Sequence, residues 1–277
     1  MRISLLPPDS LRPQHHRLSP NWLVGLGAAM LLCLCPGKSA EPEGSQSEER
    51  LKYEEPKSLK AAIYERGSER QKLLFRFKRE ATRTGSRLKV LRDFTYPDGK
   101  LAVREEAVYE GNNLVSFVLR ELQIGALGKV TIRRSPGLND IQFDYVKGPG
   151  NPVKTRREAF HENTLIGDMV GPFLAEHWEA LMRGEKVKCR YIVVPRLETV
   201  GFTFLKAAGF DAKTPGTVTI KMEATSRIIA ALVDPIYFSL EKTTPHRVVE
   251  YSGRTTPKLY DRGKWEDLDA VTVFDWK

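Results

Sequence analysis

Residues 88–121, LKVLRDFTYPDGKLAVREEAVYEGNNLVSFVLRE, decide the fold, because their apolar residues follow a period of two. Leu88, Val90 and Phe94 share one face of the first strand, and the turn residues Pro97-Asp98-Gly99 separate it from the next alternating run. A period of two is typical of strands with one buried face, and glycine supplies the positive φ that tight hairpin turns need. The stretch therefore predicts antiparallel strands joined by short turns.

The same pattern extends in both directions from this stretch. It begins at Leu73, continues to Val146, stops at the glycine- and proline-containing segment 147–152, and returns after residue 187. About eleven strands fit the pattern. A sheet of that length curls, so we expect a mainly β (α+β) protein with a strongly curved antiparallel sheet or half-barrel. No linker divides residues 59–277, which predicts a single domain.

One helix is expected inside this sheet. Apolar residues recur at spacings of three and four between Thr164 and Arg183, with Asn163 as N-cap and Gly184 as the stop. Gly171-Pro172 lies in the middle and predicts a kink or the start of a second helix. An amphipathic helix must bury its apolar side, so we expect it in the concave face of the sheet.

A sheet curved around a helix can leave an apolar space between them. The aromatic residues expected to line such a space are Phe173, Trp178, Phe202 and Phe204, although a filled core is the simpler interpretation of these residues. Gly171 and Pro172 are the candidate hinge of a lid over it.

The N-terminal forty residues resemble a targeting segment. Residues 21–37 are apolar and follow three arginines, but they are shorter than the ~20 residues that span a membrane. This predicts a signal peptide over residues 1–40, cleaved near residues 37–40, and an exported protein of the periplasm or cell envelope. An uncleaved anchor, a lipoprotein and a buried helix are the alternatives. Residues 41–58 are polar and acidic, and predict a flexible leader.

Charge and cysteine content narrow the class of protein. The chain has 277 residues, with Lys+Arg 44 against Asp+Glu 35, a net charge of +9. Basic residues crowd the hairpin over 66–92, which would suit nucleic acid in a cytosolic protein. Export argues against nucleic acid and leaves a solvated strand face or contact with anionic envelope components. Beyond residue 40 the single cysteine, Cys189, lies in an alternating strand pattern and predicts a buried structural thiol.

No sequence motif carries catalysis or metal binding. The spacings HExxH, CxxC, GxSxG and GxGxxG are absent, and His161, His177 and His246 do not pair at ligand spacing. Carboxylates such as Glu105 and Asp168 are numerous enough to form a hydrolytic pair by chance. We therefore predict no catalytic residue, no metal site and no cofactor.

Three segments carry a resemblance to known proteins: FTYPDGKLAVREEAVYEG (94–111), GEKVKCRYIVVPRLETVGF (184–202) and IKMEATSRIIAALVDPIYFSLEKTTPHRVVEYSGRT (220–255). With these segments, the order of elements resembles two groups of bacterial envelope proteins: the LolA-like periplasmic lipoprotein carriers and exported β-rich domains of unknown function. The three segments are patterns of strands and turns. The resemblance implies an apolar cavity for an acyl chain or a lipid-modified partner, and it transfers no catalytic residue.

These observations predict a non-enzymatic envelope protein that binds a lipid or other amphipathic molecule in an apolar cavity. Two alternatives stay open. One is an interaction or scaffold module that pairs with a protein partner through a sheet edge, and the other is an envelope hydrolase with a carboxylate pair.

Overall fold

The computed structural model describes residues 56–207, 214–231 and 233–276. The expected signal peptide over residues 1–40, and the leader up to residue 55, lie outside the described residues. Fifteen strands form one sheet, so the prediction of a mainly β protein is confirmed. Among the residues described, no helix is both long and apolar enough to cross a bilayer.

The elements follow the chain with short connections. The strands are Ser58–Glu65 (β1), Leu73–Thr84 (β2), Arg87–Thr95 (β3), Leu101–Glu110 (β4), Asn113–Glu121 (β5), Ala126–Ser135 (β6), Leu138–Val146 (β7), Lys154–Ala159 (β8), Thr164–Leu165 (β9), Val187–Val193 (β10), Glu198–Lys206 (β11), Thr217–Ala224 (β12), Ile236–Glu241 (β13), Val248–Asp261 (β14) and Lys264–Asp275 (β15). The α-helices are Val170–Glu176 (α1), Trp178–Met182 (α2) and Arg227–Ala230 (α3), and single 3₁₀ turns cover Gly167–Met169 and Val194–Arg196.

The expected number of about eleven strands is wrong, because three strands carry a weak pattern. β8 has the sequence KTRREA, without an apolar residue at its alternate positions. β9 has only two residues. β1 carries two adjacent alanines, Ala61 and Ala62, in place of larger apolar residues, which weakens its alternation.

The strand order places the first and last strands side by side. The order is β8-β7-β6-β5-β4-β3-β2-β1-β15-β14-β13-β12-β11-β10-β9. All neighbours are antiparallel except β9 and β10. Pairing of β1 with β15, for example Ile63 opposite Thr272, therefore joins an N-terminal meander to a C-terminal one in the middle of the sheet.

The sheet curls until regions near its two ends touch. The Glu158 carboxylate on β8 accepts a hydrogen bond of 2.9 Å from the Thr199 backbone N–H on β11. Val194, in the turn between β10 and β11, packs against Gly128 on β6. These contacts join strands that lie far apart in the hydrogen-bonding order, so the buried face of the sheet is the concave one.

The single kinked helix expected over residues 164–183 is replaced by four short pieces. Thr164–Leu165 is β9, a 3₁₀ turn follows, and α1 and α2 are separated at His177, where φ is −93° and ψ is 16°. The break therefore lies at His177. Pro172 stands in the first turn of α1, where a missing N–H costs no hydrogen bond. The apolar spacing did not indicate the break, because both helices bury the same side of the chain and the spacing continues across it.

The short helices complete the core on the concave side. Leu174 of α1 and Leu181 of α2 are fully buried. Phe173 packs against Phe204 of β11 with ring centroids 5.8 Å apart, and Phe204 packs in turn against Phe238 of β13. This packing fixes α1 against the C-terminal half of the sheet.

Candidate functional site

The curled sheet partly encloses a cavity of about 1400 Å³. Its walls come from strands of both halves of the sheet and from α1. Most side chains that face it are apolar, and six of them are phenylalanines: Phe77, Phe94, Phe117, Phe202, Phe238 and Phe274. Pockets for small ligands usually measure about 300–1,000 Å³, so the space exceeds what a small metabolite needs.

Only one of the four aromatic residues expected to line the cavity faces it. Phe202 lines it, whereas Phe173, Trp178 and Phe204 are 2%, 9% and 0% exposed and belong to the core around it. The candidate hinge residues Gly171 and Pro172 do face the cavity, through the first turn of α1.

A buried charge pair forms one polar part of the cavity wall. Arg79 on β2 donates from Nε to Asp168 Oδ1 at 2.6 Å and from Nη2 to Oδ2 at 3.3 Å. Tyr109 donates its hydroxyl to Asp168 Oδ2 at 3.0 Å. Arg79 also donates to the Pro56 carbonyl, at the start of the described chain. The 3₁₀ turn that carries Asp168 is thereby bound to the N-terminal half of the sheet.

A second charge pair lies on the neighbouring strands. Arg92 on β3 stands directly opposite Arg79 in the register on one side and Glu105 of β4 on the other. Its Nη1 donates to Glu105 Oε2 at 2.7 Å, and Thr256 donates to Glu105 Oε1 at 2.8 Å. Burial opposes the charged form of Arg92, but Glu105 and, to a lesser degree, Asp168 outweigh it, so the Arg92 pKa is raised.

Aromatic rings surround this second pair. The Arg92 guanidinium carbon lies 5.2 Å from the Phe77 ring centroid and 5.8 Å from that of Phe94. Tyr191 of β10 approaches from the other half of the sheet. Burial raises the Tyr191 pKa, Glu105 raises it further and Arg92 opposes the rise, so the phenol stays protonated and able to donate.

A third polar group faces the cavity from β5. Glu121 is 3% exposed, with Tyr145 donating to its Oε2 at 3.3 Å and Lys258 Nζ at 3.9 Å from its Oε1. Burial raises the Glu121 pKa, although Lys258 and Tyr145 both act to lower it. Burial and Glu121 together raise the pKa of Tyr145 to about 12.

Aromatic and basic side chains, His246, Arg247 and Trp276, also line the cavity. His246 stacks on Trp178 with ring centroids 3.8 Å apart and an interplanar angle of 7°. Arg247 is exposed, faces the cavity and lies over the Trp276 ring at 5.4 Å. Trp276 donates its Nε1–H to the Val248 carbonyl at 2.8 Å, which holds the ring in place.

The residues singled out for metal binding or nucleophilic chemistry lie apart. Within residues 56–207, 214–231 and 233–276, no three histidine, cysteine or carboxylate side chains form a group that could hold a metal ion. Cys189 is buried, and burial raises its pKa to about 12, so its thiol stays protonated at neutral pH.

The inward-facing charges are the functional residues that sequence reasoning missed. The sequence predicts a basic hairpin whose face is solvated or contacts anionic envelope components, yet Arg79 is 5% exposed and both Arg79 and Arg92 line the cavity. The signal was present in the strand register. Arg79 follows Phe77 by two residues, and Glu105 lies between Val103 and Ala107, so each charge occupies a position of the buried face.

Searches against protein-family models, curated proteins and solved structures return no match for this chain. The resemblance to LolA-like carriers therefore stays a prediction, and function is inferred from the cavity.

Proposed function

We propose that the protein is an exported component of the cell envelope that binds a lipid or other amphipathic molecule in the cavity. In this proposal it catalyses no reaction. The observation that carries the proposal is the cavity of about 1400 Å³ with its mainly apolar wall. An apolar chain moved from water into such a space gains about 25 cal/mol for each Å² buried. The few polar groups in the wall would fix the orientation of the ligand.

The carboxylates of the cavity support binding over hydrolysis. A two-carboxylate hydrolase needs both groups to face the bond that is cleaved. Here Asp168 is engaged by Arg79 and Tyr109, and Glu105 by Arg92 and Thr256. Each of these two carboxylates is thus held in a separate hydrogen-bonded pair.

The edge of the sheet gives little support to the scaffold alternative. β8 is one of the two terminal strands of the sheet, and Lys154, Arg156 and Arg157 are exposed along it. Charged residues on an edge strand disfavour the addition of another strand. The cavity is therefore the stronger indication of function.

Native mass spectrometry of the full chain tests the proposal, with the protein expressed in a host that exports it and purified without detergent. We expect a bound molecule whose mass matches an acyl-containing lipid in the organic extract of the same sample. Phe202→Glu would place a charge in the cavity wall and should abolish the adduct. Leu127→Glu, at a side chain that is 44% exposed, is the matched control and should keep it.

An adduct that survives Phe202→Glu would place the ligand elsewhere. A wild-type protein without adduct that also takes up no lipid from phospholipid vesicles would overturn the proposal.

A further inference from the structure

Hydrogen-bond donors from opposite halves of the sheet converge at one place in the cavity wall. A Cβ atom built on Gly167 would lie 2.5 Å from Arg92 Nη1, 3.2 Å from Arg92 Nη2 and 3.2 Å from the Tyr191 hydroxyl oxygen. Glycine at this position lets the guanidinium and the phenol approach the same stretch of backbone. Any larger residue would displace Arg92.

These donors are only partly used by the protein. Arg92 donates from Nη1 to Glu105, and its Nε and Nη2 have no partner within the described part of the chain. The Tyr191 hydroxyl likewise has no hydrogen-bond partner among the described residues. No buried side-chain nitrogen or oxygen there lacks a partner, so these N–H and O–H groups are not sealed in the core. Both residues line the cavity, so a ligand held there can reach their unused donors.

We propose that Arg92 and Tyr191 bind the carbonyl oxygen of a neutral acyl ester, with the acyl chain against Phe77, Phe94 and Phe202. This inference rests on the proposed function, because it assigns the ligand class of the same cavity. A carbonyl oxygen has two lone pairs and can accept from both donors at once. Hydrogen bonds from these donors should make an ester bind more tightly than a plain hydrocarbon of the same length.

The surrounding charges select a neutral group over an ionised one. Arg92 is already paired with Glu105, and Arg79 with Asp168, so the two guanidinium charges are balanced by two carboxylates. A ligand carboxylate would add an unbalanced negative charge close to Glu105 and Asp168. That is costly in a space where little water screens the repulsion. An ester carbonyl avoids this cost.

Displacement of a fluorophore from the full chain tests the assignment. The neutral apolar probe phenylnaphthylamine reports occupancy of the cavity, and it is displaced by methyl laurate, laurate or dodecane, which share one chain length. We expect methyl laurate to displace the probe at a concentration about tenfold lower than dodecane, because of the hydrogen bonds to its carbonyl. Laurate at neutral pH should be weaker than its ester.

Two variants connect this preference to the named residues. Arg92→Met combined with Glu105→Gln removes the donor without leaving a buried charge unpaired, and the ester should lose its advantage over dodecane. Tyr191→Phe keeps the charge pair intact and should reduce the advantage about threefold. Arg76→Met, at an exposed arginine of β2 outside the cavity, is the control and should behave as wild type.

The outcomes separate this inference from the proposed function. Probe binding with equal displacement by ester and alkane would overturn the ester assignment and leave the apolar cavity in place. Laurate stronger than methyl laurate would also overturn it, in favour of a carboxylate ligand. Absence of probe binding would overturn both proposals.

Discussion

Inward-facing charges at regular strand positions are the residue-level feature that distinguishes this protein from a simple sheet with an apolar concave face. Arg79, Arg92, Glu105 and Glu121 each occupy a position whose neighbours two residues away include buried apolar side chains. Burying a charge is costly unless a partner compensates for it, and all four have an oppositely charged partner within 4 Å. Burying these charge pairs costs free energy of solvation, so we expect them to serve a function, such as orienting a ligand.

Glu121 allows a test of this burial through pH. Burial raises its pKa, so the carboxyl binds its proton more tightly in the folded than in the unfolded state. The stability due to that proton is complete below the ordinary value of 4.5 and is lost as pH rises through the raised pKa. Glu121→Gln cannot ionise and should be more stable than wild type at neutral pH. Chemical denaturation at neutral and acidic pH would show the difference shrinking as the pH falls.

A matched control is Glu80→Gln, on the outer face of β2, where the side chain is 52% exposed. Its unfolding free energy should follow wild type across the same pH range. A Glu121→Gln variant that is less stable than wild type at neutral pH would mean that the pairing with Lys258 outweighs the cost of burial.

The sequence contained part of this site. Strand alternation indicated the faces on which Phe77, Phe94 and Phe202 lie, and a charge in the same register as these residues marks an inward position. It could not indicate which charges meet, because Arg79 and Asp168 are 89 residues apart in the chain. Tyr191 and Gly167 meet Arg92 only through the curl of the sheet.

At the scale of elements, the region between β9 and β10 differs most from expectation. The apolar spacing correctly indicated that residues 164–183 bury one side, but it could not separate one long helix from several short ones with a common buried side. Helices of seven and five residues have little stability of their own, so α1 and α2 depend on the sheet beneath them. Leu174 and Leu181 provide that attachment.

Gly171 is a position where α1 can be stabilised without disturbing its packing. An added Cβ would meet only Val248 Cγ2 at 3.7 Å, which is ordinary van der Waals contact. Gly171→Ala should therefore raise the unfolding free energy by about 0.5–1 kcal/mol, because alanine loses less backbone entropy in a helix. Denaturant titration measures the change. Destabilisation would show that the region is packed more tightly than these distances indicate.

The same residues decide the hinge hypothesis. Because the helical break lies at His177, we expect Gly171→Ala combined with Pro172→Ala to leave the rate of phenylnaphthylamine uptake unchanged. Stopped-flow fluorescence at matched protein stability measures that rate. Slower uptake with unchanged affinity would instead establish Gly171-Pro172 as the hinge of a lid.

The strands show where sequence patterning succeeds and fails. Alternation identified the long strands, including β2 and β6, since buried residues alternate there with exposed or partly exposed ones. Alternation did not identify β8, because both of its faces are exposed. Its sequence therefore lacks the difference between an apolar and a polar face that alternation detects. Curling was expected from the length of the sheet alone. The strands that meet when the sheet curls are determined by individual side-chain contacts, and the periodicity of the sequence does not indicate these contacts.

At the scale of the whole molecule, a few contacts close the curled sheet around its cavity. The backbone N–H of Thr199 donates to Glu158, and Arg156 lies 3.7 Å from Glu198. The surface ion pair contributes little by itself, because water and salt screen it. The tighter contact is apolar: Val194 of the turn between β10 and β11 fits over Gly128 of β6.

Gly128→Ala should separate β6 from the turn between β10 and β11. Its added Cβ would lie 2.2 Å from Val194 Cγ1, so β6 or the turn that carries Val194 must move, at a cost of about 1–3 kcal/mol. If Val194 is the obstacle, Val194→Ala should recover part of the loss in the double variant, and the four unfolding free energies form a double-mutant cycle. Gly171→Ala serves as the control for a glycine with room for a methyl group. Additive effects of Gly128→Ala and Val194→Ala would mean that the two ends of the sheet do not depend on this contact.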